Sequence, residues 1–461
     1  MHMGYSLYMV EAIKKNHFIN HFIKSFPLQL NWSGDDSASC YIRYYDARSK
    51  VLHKAARIAN WNFLTNITEE NAEKKNKKFN GTDYKNLEYY WTAFRNETGR
   101  KLKTLYQEFV VLLKEIAVAH GKNDMGQIWR DWYGDENFRE EISRLWKEVK
   151  PFYEQLHAYV RHKLHNFYKD VPEAKDFKAD GLIPAHLLGD LYSQVWHRKF
   201  DLLKLADVET VDVTKALKQS GPHVIAVFCP PVSITGFHEA IGDLISLSVN
   251  TPTHLKSLGL YNTSEEGSNE TANDLNFLLR TALKKVAFMP YSYIMDKYRW
   301  SLFEGEILPE ELNAAWWKLR QEEQGIKAPN LRTEEDFDIG SKWHIVSNFG
   351  YVRYFVANVL QFSFHKHFCK IAGQYDEENP DAKPLHLCDI SAGSYPTAVG
   401  EDFRKLLSLG ASVPDDKQLE MFTGSSKMTM EAVLEYFRPL RIEIERYNKE
   451  NNVPVGWKSE L

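Results

Sequence analysis

Apolar positions recur at helical spacing through most of the chain from about residue 41 onward. Leu102, Leu105, Tyr106, Phe109, Val110, Leu112, Leu113 and Ile116 fall three or four apart and predict one amphipathic helix. Ile142, Leu145, Trp146 and Val149 predict another, and the pattern resumes past Pro151 with Phe152, Leu156, Tyr159 and Val160. Thr429–Tyr447 reads as a further amphipathic helix, kinked before Pro439, since proline has no N–H to give the preceding turn. Polar, Gly- and Pro-bearing stretches place loops at Asp170–Gly181, Asn262–Thr271, Gly325–Lys342 and Gln374–Pro384. One stretch breaks the style. His223–Ile234 is apolar, β-branched and interrupted by Pro230-Pro231, just ahead of a predicted helix over Gly236–Val249. It reads either as a short buried strand or as a spliced junction. Residues 1–40 form an atypical segment that mixes aromatics, Lys and His and ends in the polar run Gly34–Ser39.

Composition adds exclusions. The 461 residues are 43 % hydrophobic and 26 % charged, ordinary globular values that exclude a mainly disordered chain. With 58 Lys+Arg against 62 Asp+Glu, no basic field points to nucleic acid. No apolar run is long enough to predict a membrane-spanning helix. Four cysteines are too few for a disulfide-stapled miniprotein, although Cys369 and Cys388, 19 apart, are able to bridge. N-x-S/T sequons at Asn31, Asn66, Asn80, Asn96, Asn262 and Asn269 hint at secretion, with Asn66 and Asn96 as the glycan acceptors. The apolar stretch Gly4–Ile13 argues the other way: it is short, carries Glu11 and follows no basic region, so no signal peptide is read there.

Two segments concentrate chemistry. In Gly236-Phe-His-Glu-Ala-Ile-Gly-Asp243, a helix places Glu239 and Asp243 on one face. Two carboxylates on so apolar a segment are either a metal ligand with a supporting acid or a solvated face with a salt bridge. A zinc peptidase built on H-E-x-x-H needs a second His four residues after the first. His238-Glu239 is the chain's one His-Glu pair, and Gly242 stands where that second His belongs, so the motif is absent. His17 and His21 have the spacing without the Glu and read as an exposed helix face. His162 and His165 read as surface residues, and His365 and His367 as structural. The second segment, Lys342–Tyr354, gathers Lys342, His344, Tyr351, Arg353 and Tyr354. Lys342 suits a carboxylate, while His344 and Tyr354 suit an oxyanion; the bland alternative is a polar loop leading into a helix. Trp316 and Arg320 share a helix face, either as an anion site or as a cation–π pair.

Taken together, these segments resemble the angiotensin-converting enzyme family of zinc dipeptidyl carboxypeptidases. The matching landmarks run in order: Ala59–Phe63, Thr65–Thr68, Leu156–Arg161, Ile183–Asp190 with Gln194 and Trp196, Gly236–Asp243, Leu247–Pro252, Trp316-Trp317, Lys342–His344, Tyr351–Tyr354 and Cys388–Ile390. The resemblance implies a mainly α-helical, two-lobed metallopeptidase fold around a deep central cleft. It implies a secreted or extracellular peptidyl-dipeptidase that uses zinc and chloride and releases dipeptides from oligopeptides with a free C-terminus. Residue by residue, Glu239 matches a zinc ligand and Asp243 an acid that orients a zinc-bound His. His344 and Tyr354 match donors to the tetrahedral intermediate, and Lys342 and Tyr351 match groups that hold the substrate carboxylate. Arg161, Trp316 and Arg320 match one chloride site and Arg353 a second, where Phe200 replaces the family's tyrosine. Cys369 and Cys388 match a family disulfide.

The chain also departs from that family. Residues 41–461 read as the peptidase-like domain, with internal deletions near 80–83 and 220–236. The second removes both zinc histidines and the catalytic Glu. One carboxylate does not hold zinc, since catalytic sites use about three protein ligands. The chain as written is therefore expected not to hydrolyse peptides, and Glu239 and Asp243 are expected to stand unpaired. Three accounts follow: an active enzyme whose sequence lacks coding exons, a non-catalytic extracellular peptide-binding protein, or an intracellular form.

Overall fold

The computed structural model describes residues 81–207, 236–260, 270–392, 396–410 and 412–459, all within the unit Leu52–Leu461. Residues 1–40, His223–Ile234 and the sequons at Asn31, Asn66, Asn80, Asn262 and Asn269 lie outside the described residues. In chain order the main helices are α1 (Tyr84–Glu97), α2 (Gly99–Ala119), α3 (Met125–Asp131), α4 (Phe138–Tyr168), α5 (Phe200–Leu203), α6 (Phe237–Val249), α7 (Pro252–Ser257), α8 (Glu270–Lys285) and α9 (Phe288–Glu304). They continue as α10 (Leu312–Gln324), α11 (Trp343–Val346), α12 (Val352–Ile371), α13 (Pro396–Leu409), α14 (Asp415–Thr423), α15 (Glu431–Tyr436) and α16 (Arg438–Glu450). Among the described residues, strand is limited to β1 (Ile183–Pro184) and β2 (Ile326–Lys327), paired in parallel with Ile183 opposite Ile326. The mainly helical reading therefore holds.

The apolar stripes explain which faces are buried. Leu102, Tyr106, Phe109, Leu112 and Leu113 are all in the core of α2. The two stripes on either side of Pro151 belong to one 31-residue helix, α4, which runs straight through that proline. Pro151 is exposed, as is Lys147, whose carbonyl loses its helical partner there, so water can serve it. The expected kink before Pro439 is a full break. α15 ends at Tyr436, Phe437 leaves helical geometry, and α16 restarts with proline in its first turn.

α12 is the central element. Its buried residues lie all round the helix, including Phe355, Val356, Val359, Phe362, Phe364 and Phe368, the pattern of a helix enclosed by others. α6 packs along it, and their approach is close. A Cβ on Gly236 would lie 2.9 Å from Val356 Cγ1 and 3.1 Å from the Arg353 carbonyl, at a φ of 115° that side chains avoid. Gly236 thereby sets the first turn of α6, which carries Glu239, against the first turn of α12.

The start of α12 is capped from elsewhere. Tyr351 occupies the cap position but offers no side-chain acceptor. Asp296, buried on α9, takes that role: its Oδ2 accepts from Tyr351 N at 2.6 Å and Val352 N at 2.8 Å. Its Oδ1 pairs with Arg299, whose Nη2 also donates to the Phe349 carbonyl at 2.6 Å. Asp296→Ala leaves a buried guanidinium uncompensated and two helix N–H groups unserved. The expected loss is about 3–5 kcal/mol of stability, measured by denaturant unfolding. Asp83→Ala, which removes the exposed cap of α1 on Asn86 N (2.7 Å), is expected to cost only about 1 kcal/mol in the same assay.

Candidate functional site

The loop that carries Gln194 is tied to the C-terminal end of α10. Gly325 follows α10 with a φ of 66°, and a Cβ there would sit 2.5 Å from His157 Nε2. From this turn β2 pairs with β1 and delivers the segment Ala185–Trp196 to the site. Asp190 shapes the loop through its own carboxylate, which accepts from the backbone N–H of Tyr192, Gln194 and Val195 at 2.7, 3.2 and 3.0 Å. Ser193 adopts a φ of 55°, held by its Oγ donating to Ala185 O at 2.6 Å. The next residue, Gln194, is thereby aimed at Lys342.

Lys342 and Tyr351 meet on Gln194. Lys342 Nζ donates to Gln194 Oε1 at 2.8 Å, and Tyr351 OH donates to the same oxygen at 3.2 Å. The ammonium is buried and lies 4.1 Å from the ring centre of Tyr192, with Tyr351 and Tyr291 within 6 Å. Burial pushes its pKa down to about 8, with Asp190 acting in the opposite sense. Burial raises the phenols of Tyr192, Tyr291 and Tyr351, so these rings remain neutral donors. Such a cation, desolvated and surrounded by hydroxyl donors, suits a carboxylate. Sequence reasoning placed Lys342 and Tyr351 and passed over Gln194 as a functional group. Its presence among the ordered landmarks was the available signal.

His344 and Tyr354 also come together. His344 Nε2 and Tyr354 OH are 3.2 Å apart. Tyr351 joins this pair to the Lys342 cluster, its ring centre 5.1 Å from His344 and 4.8 Å from Tyr354. The side chains of Lys342, His344, Tyr351 and Tyr354 thus form one continuous cluster.

Glu239 and Asp243 differ from each other. Glu239 is half-buried in the first turn of α6, and desolvation raises its pKa against the opposing pull of His238 and Arg353. Asp243 is not unpaired as expected. Lys285 Nζ, from the end of α8, lies 2.6 Å from its Oδ2. A half-buried lysine on another helix supplies the counter-charge. Among the described residues, the donors around Glu239 do not fit a catalytic zinc: His238 next to it is exposed, and Asp243 is engaged by Lys285. Among the described residues, the one cluster of three metal-ligating groups lies elsewhere, at His365, Cys369 and Cys388.

The remaining candidates are placed as follows. Arg161 is fully buried and donates to the carbonyls of Gly181 (3.2 Å), Gly456 (2.6 Å) and Pro454. Arg320 lies 5.6 Å from the Trp316 ring and donates to Tyr192 O at 3.1 Å. Arg161 Nε and Arg320 Nε and Nη1 are buried without a hydrogen-bond partner. Arg353 is half-buried near Glu239, whereas Phe200 packs under Arg280 at 4.5 Å. Cys369 and Cys388 form a disulfide. Asn96, near the end of α1, is half-buried with its Oδ1 accepting from Arg332 at 3.2 Å, and Asn66 lies outside the described residues. His162 is half-buried and meets Tyr447 OH at 3.2 Å. Among the described residues no helix is long and apolar enough to cross a membrane.

The profile of the angiotensin-converting enzyme peptidase family matches residues 78–230 and 232–457, beginning later than the similarity expected from residue 41. The angiotensin-converting enzyme of Theromyzon tessulatum is 33 % identical over 442 residues, covering 78 % of this chain and 69 % of the relative. That of Haematobia irritans exigua is 32 % identical over 448 residues, covering 79 % and 72 %. That of Bos taurus is 33 % identical over 459 residues, and this chain spans only 34 % of its length. With a profile match over most of its length and a relative of this identity, the chain belongs to the angiotensin-converting enzyme family of peptidases.

Proposed function

We propose that this chain binds the free C-terminal carboxylate of oligopeptides, and that it carries the substrate-holding half of a peptidyl-dipeptidase site without the zinc half. The observation that carries this reading is the convergence of Lys342 and Tyr351 on Gln194. Lys342 and Tyr351 both donate to Gln194 Oε1, the pair of hydrogen bonds that a peptide carboxylate would take in its place. His344 and Tyr354, one ring away, are placed to donate to a carbonyl of the bound peptide. Zinc is the metal expected of the family, but among the described residues Glu239 belongs to no group of three metal-ligating side chains, so no hydrolytic step is derived through it.

A second reading has its own support. The 442 positions aligned with the Theromyzon relative exceed what 78 % of this 461-residue chain supplies, so the relative carries aligned stretches that this chain lacks. On that reading the sequence is missing coding exons, and a form containing H-E-x-x-H is a working peptidyl-dipeptidase. The proposal extends to chloride, supported by the buried N–H groups of Arg161 and Arg320 that lack an acceptor. It extends also to an extracellular setting, supported by the sequons and the disulfide. Asn66 and Asn96 remain the proposed glycan acceptors.

Two measurements test the proposal. A blocked tripeptide with a free carboxylate is expected to bind, and its C-terminal amide to bind far more weakly, by calorimetry. Binding a carboxylate favours the ammonium form of Lys342, so complex formation takes up a proton above pH 8. Affinity is then expected to be flat below about pH 8 and to fall by up to about tenfold per pH unit above it. Lys342→Gln should weaken binding and flatten the profile. Equal affinity for acid and amide would refute the clamp. Incubation of the same peptide with the protein and added zinc is expected to release no dipeptide above a protein-free control; release above that control would overturn the non-hydrolytic reading.

A further inference from the structure

Along the second half of α12, three side chains of metal-ligand type converge. His365 and Cys369 are one turn apart on the helix and project from the same face. The disulfide brings Cys388 to them. The donor atoms of all three lie within 4.8 Å of one another, and each residue is fully or almost fully buried. The imidazole is poorly used by the fold. Its Nε2 reaches the Leu385 carbonyl only at 3.3 Å, and its Nδ1 is buried without a hydrogen-bond partner.

We propose that reduction of Cys369–Cys388 turns this disulfide into a Cys2His site for a soft divalent metal ion such as zinc. The geometry supports it at the His365–Cys369 edge. His365 Nε2 and Cys369 Sγ are 3.5 Å apart. Tetrahedral zinc, with bonds of about 2.0–2.1 Å to nitrogen and about 2.3 Å to sulfur, requires an N···S edge of about 3.6 Å. The Cα atoms of the two cysteines are 6.0 Å apart, which lets their sulfurs separate to a metal-sharing distance by side-chain rotation. The chemistry balances. A dithiol reductant gives two electrons and two protons, the S–S bond breaks, two thiols form and the reductant becomes its own disulfide. Metal binding then displaces both thiol protons into solvent. Disulfide and metal site exclude each other, because the same sulfur atoms serve both. The metal would therefore hold the protein in its reduced state.

The test uses the full chain with Cys40→Ser and Cys229→Ser, so that only this sulfur pair remains. The protein is reduced with excess dithiothreitol, desalted under nitrogen and titrated with cobalt(II). The expected result is one equivalent bound with thiolate-to-cobalt charge transfer and the visible bands of a tetrahedral site. The signal should be displaced by zinc and absent from the oxidised protein. His365→Gln keeps both sulfurs and is expected to weaken cobalt binding by at least about tenfold. Cys388→Ser is expected to lower the charge-transfer intensity by roughly half, as one of two thiolates is lost. Absence of charge transfer at one equivalent would overturn the proposal. So would unchanged affinity in His365→Gln, or cobalt binding that appears only when the helical circular dichroism is lost.

Discussion

The buried carboxylate of Asp296 is the constraint on which the site depends, because α12 starts without an acceptor of its own. Helix N-termini leave backbone N–H groups exposed, and this one lies in the core, where water does not serve them. Asp296 reaches across from α9 to Tyr351 N and Val352 N, and Arg299 neutralises it while gripping Phe349 O. The ion pair and the cap are one unit. They fix the register at which α12 begins, and with it the directions of Tyr351, Arg353 and Tyr354. A shift of one residue there would turn Tyr351 away from Gln194 and part Tyr354 from His344.

Electrostatically the two ends of the site are unequal. Around Lys342 the protein has gathered a desolvated cation, neutral phenols and an amide carbonyl that accepts from the cation. Around Glu239 it has gathered the opposite. The carboxylate is destabilised by burial, and the neighbouring acid is satisfied by Lys285 in an ordinary ion pair. At the first end a buried cation and a phenol meet on one amide oxygen; at the second, the neighbouring acid is held by a lysine from another helix.

The disulfide shows a different balance. It ties α12 to the segment ahead of Asp389, whose carboxylate accepts from Ser391 and Ser248 and pairs with His254 on α7. His365 sits against it with Nε2 on the Leu385 carbonyl and Nδ1 buried without a partner.

Much of this protein is set by local pattern. Helical spacing located α2 and both halves of α4, because apolar periodicity reports which face of a helix is buried without needing to know against what. Ordered landmarks were enough for the family, while residue chemistry marked Lys342, His344 and Tyr354 as candidates beside the bland alternative. Pairings between distant elements were beyond it. The continuation of α4 through Pro151 depended on an exposed face where water covers the lost bond. The partners Lys285 for Asp243, Gln194 for Lys342 and Asp296 for α12 come from other helices and loops. Such contacts are decided by how helices pack and by which buried charges must find an opposite charge or a hydrogen-bond partner, and that requirement exists only once the tertiary structure has taken the water away.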